Sequence, residues 1–496
     1  MPQQNKGTRE TRSESWKEER RRRKTSHPIL TFGTGHRRSC FRPPIPSDSI
    51  HTSRASTMTA MTEDKSAQIQ VKFIASDESL AVPSTTFTVP LALDASGLEQ
   101  LLKRLLAESH DSIDEAPPTW SDQSFEFVLR GDFLRTSLAG FVQSHEGVTP
   151  ESVLEIHYFA RNPPPAPDQD VNHDDWVSGV SALDGHVLTA CYDNTIALFY
   201  DGHKLLTIPG HDGPARDVVW ISLDEDQGVF ASSSHDQTVM LYQWNARTRA
   251  IDVMNVCRGH ERSVDCLAVD RSRTLLASGS FDTHLKIWSA KLQSPDENGG
   301  SHEALTNGSG GESEKKKART SHKTLSRTPL VTLGGHKEGI SGVAWTEDNE
   351  VCTSSWDHTL KIWDFEMRGM KTELVGNKSF FGLSYSPLNR TILTCSADRA
   401  IRLYDPRSKD GVLVKNQFTS HDGWVTCVDW CQEREDLFIS GGHDTVVKMW
   451  DRRSCVTPLY DMKGHEDRIL CCDWSEKDMV VSGGADNTMK IYKSNV

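Results

Sequence analysis

The stretch that begins near residue 68 shows two patterns of apolar positions. Four runs alternate with a period of two or are rich in β-forming side chains, which predicts strands at residues 69–75, 85–93, 125–134 and 153–158. Between the second and third runs, apolar residues recur at helical spacing, at Leu98, Leu101, Leu102 and Leu105. Two strands, a helix and two strands predict a small α+β domain of the β-grasp, or ubiquitin-like, type over residues 68–160, with the leucines in its core.

A different pattern repeats seven times along the rest of the chain. Each copy has a turn centred on an aspartate and then an apolar strand, as in SWDHTLKIWD at residues 355–364. The seven turn aspartates are Asp193, Asp236, Asp282, Asp357, Asp398, Asp444 and Asp486. Their spacing of 41 to 46 residues, with one interval of 75, matches the WD-repeat period of about 40–45 residues. The sequence therefore predicts a mainly β chain whose residues 171–496 form a seven-bladed WD40 β-propeller.

A histidine precedes the turn aspartate by about 20–25 residues in six copies, and the fifth copy has Asn377 instead. These residues are His173, His211, His260, His336, His421 and His465. In WD repeats the histidine, the aspartate, a Ser or Thr and a strand tryptophan form a hydrogen-bonded network, for which the tryptophans here are Trp288, Trp363 and Trp450. A pair that recurs at one spacing in blade after blade indicates blade architecture, not an active site.

The final copy ends one strand short of a complete blade, so the strand that closes the ring is predicted between Pro167 and His173. Before it, a proline-rich linker is predicted over residues 161–170, because successive prolines fit neither a helix nor a central strand. Residues 290–328, placed between blades three and four, are rich in Gly, Ser, Glu and Lys and predict a disordered loop on the rim.

Charge is distributed unevenly along the 496 residues, whose net charge is −13. The first 60 residues hold thirteen Lys and Arg against five Asp and Glu, and residues 1–67 are predicted to be a disordered basic extension. Its run at residues 20–24 is either a nuclear-import or nucleic-acid tail, or a solvated tail ahead of a true start at Met61. The basic cluster at 315–319 leaves the same choice between an import signal and a solvated charge run.

The sequence contains none of the catalytic motifs that were sought. It lacks a phosphate loop, a nucleophile elbow and a zinc-protease helix, so no enzyme activity, cofactor or small-molecule substrate is expected. The eleven cysteines form no CxxC pair, which favours reduced core thiols over zinc or disulfides. No stretch has the length of a membrane span or the form of a secretory signal, so an intracellular protein without membrane contact is expected.

Three segments carry a resemblance to a known family: MTEDKS at 61–66, LRTSL at 134–138 and DDWVS at 174–178. With a β-grasp domain joined to seven WD blades, they make the chain similar to the WD-repeat subunit of the complex with Pescadillo and the block-of-proliferation protein. The resemblance implies a scaffold in maturation of the large (60S) ribosomal subunit and its 27S/28S and 5.8S rRNA. It also implies a heterotrimer bound to the pre-60S particle, in the nucleus, nucleolus and nucleoplasm, with a possible local contact to pre-rRNA.

The same resemblance implies that the ubiquitin-like domain binds midasin, an AAA+ ATPase that pulls the complex off the particle. In the family an acidic residue completes the Mg²⁺ shell of the ATPase, and the matching residue here is Glu151. An open position on Mg²⁺ suits a carboxylate oxygen. From the residues alone, Asp132 and Glu146 are equally good candidates. The rival functions are a generic WD40 adaptor, such as a ubiquitin-ligase substrate receptor, and the Notchless-type relative, whose propeller has an extra blade.

Overall fold

The computed structural model describes residues 67–109, 120–145, 147, 149, 152–292, 325–407 and 414–494. Both predicted basic clusters lie outside these residues. Within them the chain forms a small α/β domain and a seven-bladed propeller, which confirms the predicted fold class. No helix in the described ranges is both long enough and apolar enough to cross a membrane.

The small domain has one five-stranded sheet in the order β2-β1-β5-β3-β4, with β1 and β5 parallel. The helix α1 packs against it through Leu98, Leu102 and Leu106, which are fully buried, whereas Leu101 and Leu105 are partly buried. A second helix, α2, begins at the N-cap Ser137, whose side chain accepts from the Gly140 N–H. The elements are β1 (Gln68–Ala75), a 3-10 turn (Glu78–Leu80), β2 (Thr86–Pro90), α1 (Ala95–Ser109), β3 (Phe125–Leu129), β4 (Asp132–Phe133), α2 (Leu138–Ser144) and β5 (Val153–Ala160).

A tight turn joins β3 to β4. Arg130 and Gly131 both have positive φ, 50° and 81°, as a two-residue hairpin turn with the right twist requires. The sequence prediction of one run over residues 125–134 with a turn inside it therefore becomes a hairpin. Gly131 suits the second turn position because it has no Cβ to clash at positive φ.

The propeller consists of seven sheets, each of which contains the four antiparallel strands of one blade. Blades one and two contain β7 (Val177–Leu183), β8 (His186–Cys191), β9 (Thr195–Tyr200), β10 (His203–Pro209), β11 (Ala215–Leu223), β12 (Gln227–Ser234), β13 (Thr238–Asn245) and β14 (Ala250–Arg258). Blades three and four contain β15 (Val264–Val269), β16 (Leu275–Ser280), β17 (His284–Ser289), β19 (Val331–Gly334), β20 (Ile340–Glu347), β21 (Glu350–Ser355), β22 (Thr359–Asp364) and β23 (Gly369–Val375).

The remaining blades complete the ring. Their strands are β24 (Phe380–Ser386), β25 (Thr391–Ser396), β26 (Ala400–Tyr404), β27 (Val414–Thr419), β28 (Val425–Trp430), β29 (Leu437–Gly442), β30 (Val446–Asp451), β31 (Tyr460–Lys463), β32 (Ile469–Glu476), β33 (Met479–Gly484) and β34 (Thr488–Lys493). The first strand of each blade contacts the first strand of the next, so these strands line the central channel. Most apolar clusters join residues of two adjacent blades, as in the cluster of blades one and two around Phe230.

The ring closes on a strand from the amino-terminal side of the propeller. Strand β6 (Ala166–Asn172) pairs antiparallel with β34, which supplies the fourth strand of blade seven and confirms the predicted closure. Salt bridges from Lys490 to Asp170 (2.9 Å) and from Lys493 to Asp168 (3.1 Å) flank this pairing. Because β6 begins at Ala166, half of the predicted 161–170 linker belongs to the propeller.

The long insert lies inside blade three, between β17 and the outer strand β19, and not between blades three and four as expected. Its last residues also differ from the prediction. Leu325–Arg327 forms strand β18, which pairs in parallel with the outer edge of blade two. The guanidinium of Arg327 donates to the carbonyl oxygens of Ser289 (2.5 Å) and Lys291, so the two ends of the insert are held together. The insert between these ends, residues 293–324, lies outside the described residues.

Candidate functional site

The predicted blade network has a repeated geometry. In blade four, His336 Nδ1 lies 2.9 Å from Asp357 Oδ2 and His336 Nε2 lies 2.8 Å from Thr353 Oγ1, to which Trp363 Nε1 also donates. Blades three and six repeat this with Ser278 and Ser440 in place of threonine. The corresponding groups are His260, Asp282 and Trp288, and His421, Asp444 and Trp450. Blades two and seven bring together His211 and Asp236 with Ser232, and His465 and Asp486 with Ser482.

These contacts change the ionisation of the paired groups. Burial opposes ionisation of Asp236, but hydrogen bonds from His211 and Thr238 outweigh it and lower the pKa to about 2. Burial lowers the pKa of His336, although the neighbouring Asp357 opposes that shift. A neutral imidazole between a carboxylate and a hydroxyl has both ring nitrogens satisfied. The arrangement therefore connects the strands of a blade by hydrogen bonds between buried side chains.

Two blades depart from the predicted network. In blade one, His173 Nε2 bonds Thr189 Oγ1 at 3.0 Å, but Asp193 bonds only Thr195. The structure therefore does not join His173 to Asp193. The His173 Nδ1 is buried without a partner among the described residues.

Blade five replaces the missing histidine with an arginine that the sequence reading overlooked. The Arg402 guanidinium donates to Asp398 at 2.6 and 3.2 Å and to Ser396 Oγ at 2.8 Å. It therefore joins the turn aspartate to a hydroxyl group two residues before it, whereas the histidines of the other blades bond the hydroxyl group four residues before it. The available signal was position: four residues after the turn aspartate, blades three, four, six and seven carry Lys286, Lys361, Lys448 and Lys490.

Hydrogen bonds between first strands join neighbouring blades around the channel. At five junctions a side-chain oxygen accepts the backbone N–H of the next blade: Ser181 from Trp220, Asp217 from Leu267, Ser384 from Trp430, Asp429 from Trp474 and Asp473 from Ala182. Burial raises the pKa of Asp217 to about 6, against the lowering effect of the Leu267 N–H. Burial likewise raises the pKa of Asp429 and of Asp473, whose carboxyl groups lie close together.

One face of the propeller carries a row of aromatic side chains whose rings meet edge to face or tilted. Its ring centroids are 5.2 to 6.3 Å apart, and the row runs over blades three to six through Phe281, Trp356, Phe381, Trp424 and His443. We call these five residues the aromatic row. Most of them directly precede the turn aspartate or the first strand, and the repeat brings these positions to the same end of every blade. Trp356 is 43% exposed and Trp424 is 50% exposed.

The same face continues over the other blades with aromatic and basic groups. Tyr192 lies between Trp176 and His235, at centroid distances of 5.4 and 6.0 Å. Arg468 of blade seven lies over the Trp176 ring at 4.8 Å, and Arg216 lies over Tyr192 at 5.6 Å. Aromatic side chains together with arginines are the composition of protein-binding hot spots.

The predicted metal ligand Glu151 lies outside the described residues, as does the alternative Glu146. Its described neighbours form a turn in which the Ser152 N–H and Oγ–H both donate to the Thr149 carbonyl, at 3.0 and 2.6 Å. The third candidate, Asp132, begins β4, and its carboxylate accepts from the Phe133 N–H. Among the described residues, no three His, Cys, Asp or Glu side chains gather in a way that could hold a metal ion.

Comparison with known proteins covers both parts of the chain. The family model of the NLE (NUC135) domain matches residues 69–142. The model of the WD domain, G-beta repeat, matches six segments: 202–243, 252–289, 327–364, 370–405, 412–451 and 456–493. The first blade lies mostly ahead of these matches, which agrees with its incomplete network.

Alignments with similar proteins cover nearly the whole length of those proteins. The ribosome biogenesis protein WDR12 homolog of Ixodes scapularis is 44% identical over 431 residues, which is 86% of this chain and 99% of that protein. Proteins of the same name from Anopheles gambiae and Aedes aegypti are each 43% identical over 88% of this chain and cover 97% and 98% of their own lengths. With its NLE domain and WD repeats, the chain belongs to the WDR12 family of ribosome biogenesis proteins.

Proposed function

We propose that the chain is a non-catalytic scaffold in maturation of the large ribosomal subunit. Its propeller binds the block-of-proliferation partner, and the two assemble with Pescadillo as a heterotrimer on the pre-60S particle in the nucleolus and nucleoplasm. The main support for this proposal is the aromatic row, in which Trp356 and Trp424 are exposed although the propeller core is complete without them. Family membership supports the process in which this scaffold works.

The aromatic row favours a protein partner because its groups are rigid and mainly apolar. Burial of Trp or Tyr side chains gives a large contact area at a small cost in side-chain entropy. The flanking cations Arg216 and Arg468 lie beside the acidic groups Asp265 and Asp467. A face of mixed charge with an aromatic centre fits a folded protein surface better than a nucleic-acid backbone.

The test measures binding of the purified block-of-proliferation partner by calorimetry. Trp424→Ala should raise the dissociation constant by roughly 30-fold or more, because truncation of a central aromatic anchor costs about 2 kcal/mol or more of binding free energy. Tyr200→Ala is the matched control, since Tyr200 is equally exposed but lies on the outer side of blade one. If both variants bind like the native protein, the partner docks elsewhere.

The ubiquitin-like domain is the second binding element of the proposal. Glu151 donates a carboxylate oxygen to the Mg²⁺ of midasin, and the ATPase then pulls the complex from the particle. Support comes from the resemblance and from the position of Glu151 in the sequence, two residues before β5 begins. A hard divalent cation with one open site takes an anionic oxygen ligand, which alanine does not provide.

A pull-down with the adhesion domain of midasin tests this role, in magnesium and in chelator. Glu151→Ala should abolish magnesium-dependent capture, and Glu151→Asp should bind weakly because its carboxylate reaches one methylene less far. Glu146→Ala is the control. Capture by Glu151→Ala but not by Glu146→Ala would show that the wrong carboxylate was chosen.

A separate experiment, the identification of proteins that co-purify with the chain, tests the role in maturation of the large subunit. Large-subunit assembly factors among them would support that role, and cullin-type ligase subunits in their place would favour the adaptor function.

A further inference from the structure

The ubiquitin-like domain has a strand whose two faces are both buried. Phe125, Phe127 and Leu129 of β3 face α1 and form the core of the domain. Glu126 and Val128 point to the other side of the sheet, yet each is only 3% exposed. Val128 joins an apolar cluster with Leu459 and Met462 of blade six. The propeller therefore covers this side of the sheet.

The contact is made by the segment between β30 and β31, residues 452–459, which we call the blade-six loop. The Arg453 guanidinium lies over the Phe159 ring at 3.5 Å, and its fork is held by Asp451, which is fully buried. The Cys455 N–H donates to the Gly131 carbonyl at 3.0 Å. Next to the loop, the Tyr460 hydroxyl donates to the Asn162 carbonyl at 2.5 Å. These contacts combine stacking, apolar burial and backbone bonding.

A buried carboxylate with two partly exposed arginines lies beside this contact. The Glu126 carboxylate accepts from Arg135 at 3.0 Å and from Arg161 at 2.6 Å. A buried carboxylate is tolerated when it is paired in this way, and removal of its surroundings would change its solvation. The domain is thus fitted to the propeller surface and belongs with it to one compact unit of the chain.

The chain that connects the two parts leads into a strand with few side-chain contacts. After β5 the chain continues through residues 161–165 directly into β6, the strand that closes the ring. Most side chains of β6 are exposed, so the strand is held by its backbone ladder to β34 and by the ion pairs of Asp168 and Asp170. A pull that reached β6 would open this ladder from the pair of Ala166 with Lys493.

We propose that docking on the blade-six loop diverts mechanical load away from the ring-closing strand. A force applied to the domain passes through Phe159, Val128 and Phe133 into blade six. This blade does not contain the ring-closing strand. Strand β6 then stays paired while the whole protein is moved. The inference rests on the proposed function in so far as an ATPase supplies the pull in the cell, but the diversion of force is a property of this chain alone.

Single-molecule force spectroscopy tests it without the ATPase. Handles on the exposed residues Glu108 and Thr248 pull the domain away from blade two. In the native chain, β6 should remain paired up to the force that breaks the docked contact. Phe159→Ala should add an early step at clearly lower force, with release of residues 161–172 and an extension of up to about 40 Å. Phe159 is outside the core of its own domain, so the domain should stay folded.

Arg453→Lys addresses the same contact from the propeller, because it keeps the charge near Asp451 but loses the planar stack over Phe159. It should give the same early step. Arg452→Ala is the matched control, since Arg452 lies in the same loop and pairs with Asp436. An early step in the native chain, or none in either variant, would overturn the inference. Failure of midasin to bind the native chain would instead contradict only the proposed function.

Discussion

The carboxylate of Asp473 in blade seven accepts a hydrogen bond of 2.7 Å from the backbone N–H of Ala182 in blade one. This bond crosses the junction between the last and the first blade. On the outer side of blade seven the same junction is completed by β6. Closure of the ring thus depends on groups that lie at opposite ends of the propeller sequence.

Truncation after Lys490 should destabilise the whole propeller. It removes Ile491 and Tyr492, which are buried and pair with Gln169 and Pro167 of the closing strand. The loss of two buried side chains should lower the free energy of unfolding by at least about 3 kcal/mol. Urea unfolding measures this change, with truncation after Ser494 as the control. An unchanged midpoint in the shorter chain would mean that β34 is not needed for closure.

Arg402→Ala should destabilise blade five by about 1–3 kcal/mol, because Asp398 and Ser396 lose their shared donor. The neighbouring Arg399→Ala should change stability by less than about 0.5 kcal/mol, since this side chain is exposed. Chemical unfolding of both variants makes the comparison. Equal stabilities would show that Arg402 does not substitute for the histidine of the other blades.

Deletion of residues 295–322 should change the free energy of unfolding by less than about 1 kcal/mol, because shortening a surface connection mainly alters loop-closure entropy. A deletion extended through Arg327 should lower the free energy of unfolding by at least about 2 kcal/mol more than the shorter deletion does. It removes β18 and the donors to Ser289 and Lys291. Thermal unfolding of the two deletions side by side tests this. If the shorter deletion alone prevents folding, the insert packs on the propeller.

Asp217→Asn should alter how stability depends on pH. The pKa of Asp217 is raised to about 6 in the folded chain, so the folded state binds a proton that the unfolded state releases near pH 4. Stability from this group is present below pH 4 and is lost as pH rises through 6, by up to about 3 kcal/mol. The asparagine variant should lack this decline, as urea midpoints between pH 4 and 7 will show. The same slope in both proteins would assign it to other groups.

The sequence was sufficient for those parts of the fold that repeat. The period of the turn aspartates predicted seven blades, and the missing last strand predicted β6, because both follow from counting units. The helix prediction was less complete. It included Leu101 and Leu105 and omitted Leu106, since a stripe of leucines wider than the contact does not show which edge faces the sheet.

Contacts between parts that do not repeat could not be predicted in this way. Residues 125–129 read FEFVL, in which Phe125, Phe127 and Leu129 share one face of the strand and Glu126 and Val128 share the other. Burial of that face depends on blade six, more than 300 residues away, and no local pattern indicates such a partner. Arg402 is the intermediate case, because its position after the turn aspartate is visible but its bond to Asp398 depends on the absence of histidine at Asn377.

The position of β6 has a consequence for synthesis of the protein. Its partner strand β34 is translated more than 300 residues later. At elongation rates of roughly 5–20 residues per second, the segment that becomes β6 has no partner strand for tens of seconds. During that time the incomplete ring is exposed to edge-to-edge association with other nascent chains. Native assembly should therefore benefit from a chaperone that binds this unpaired segment until translation ends, and slowing translation without one should increase aggregation.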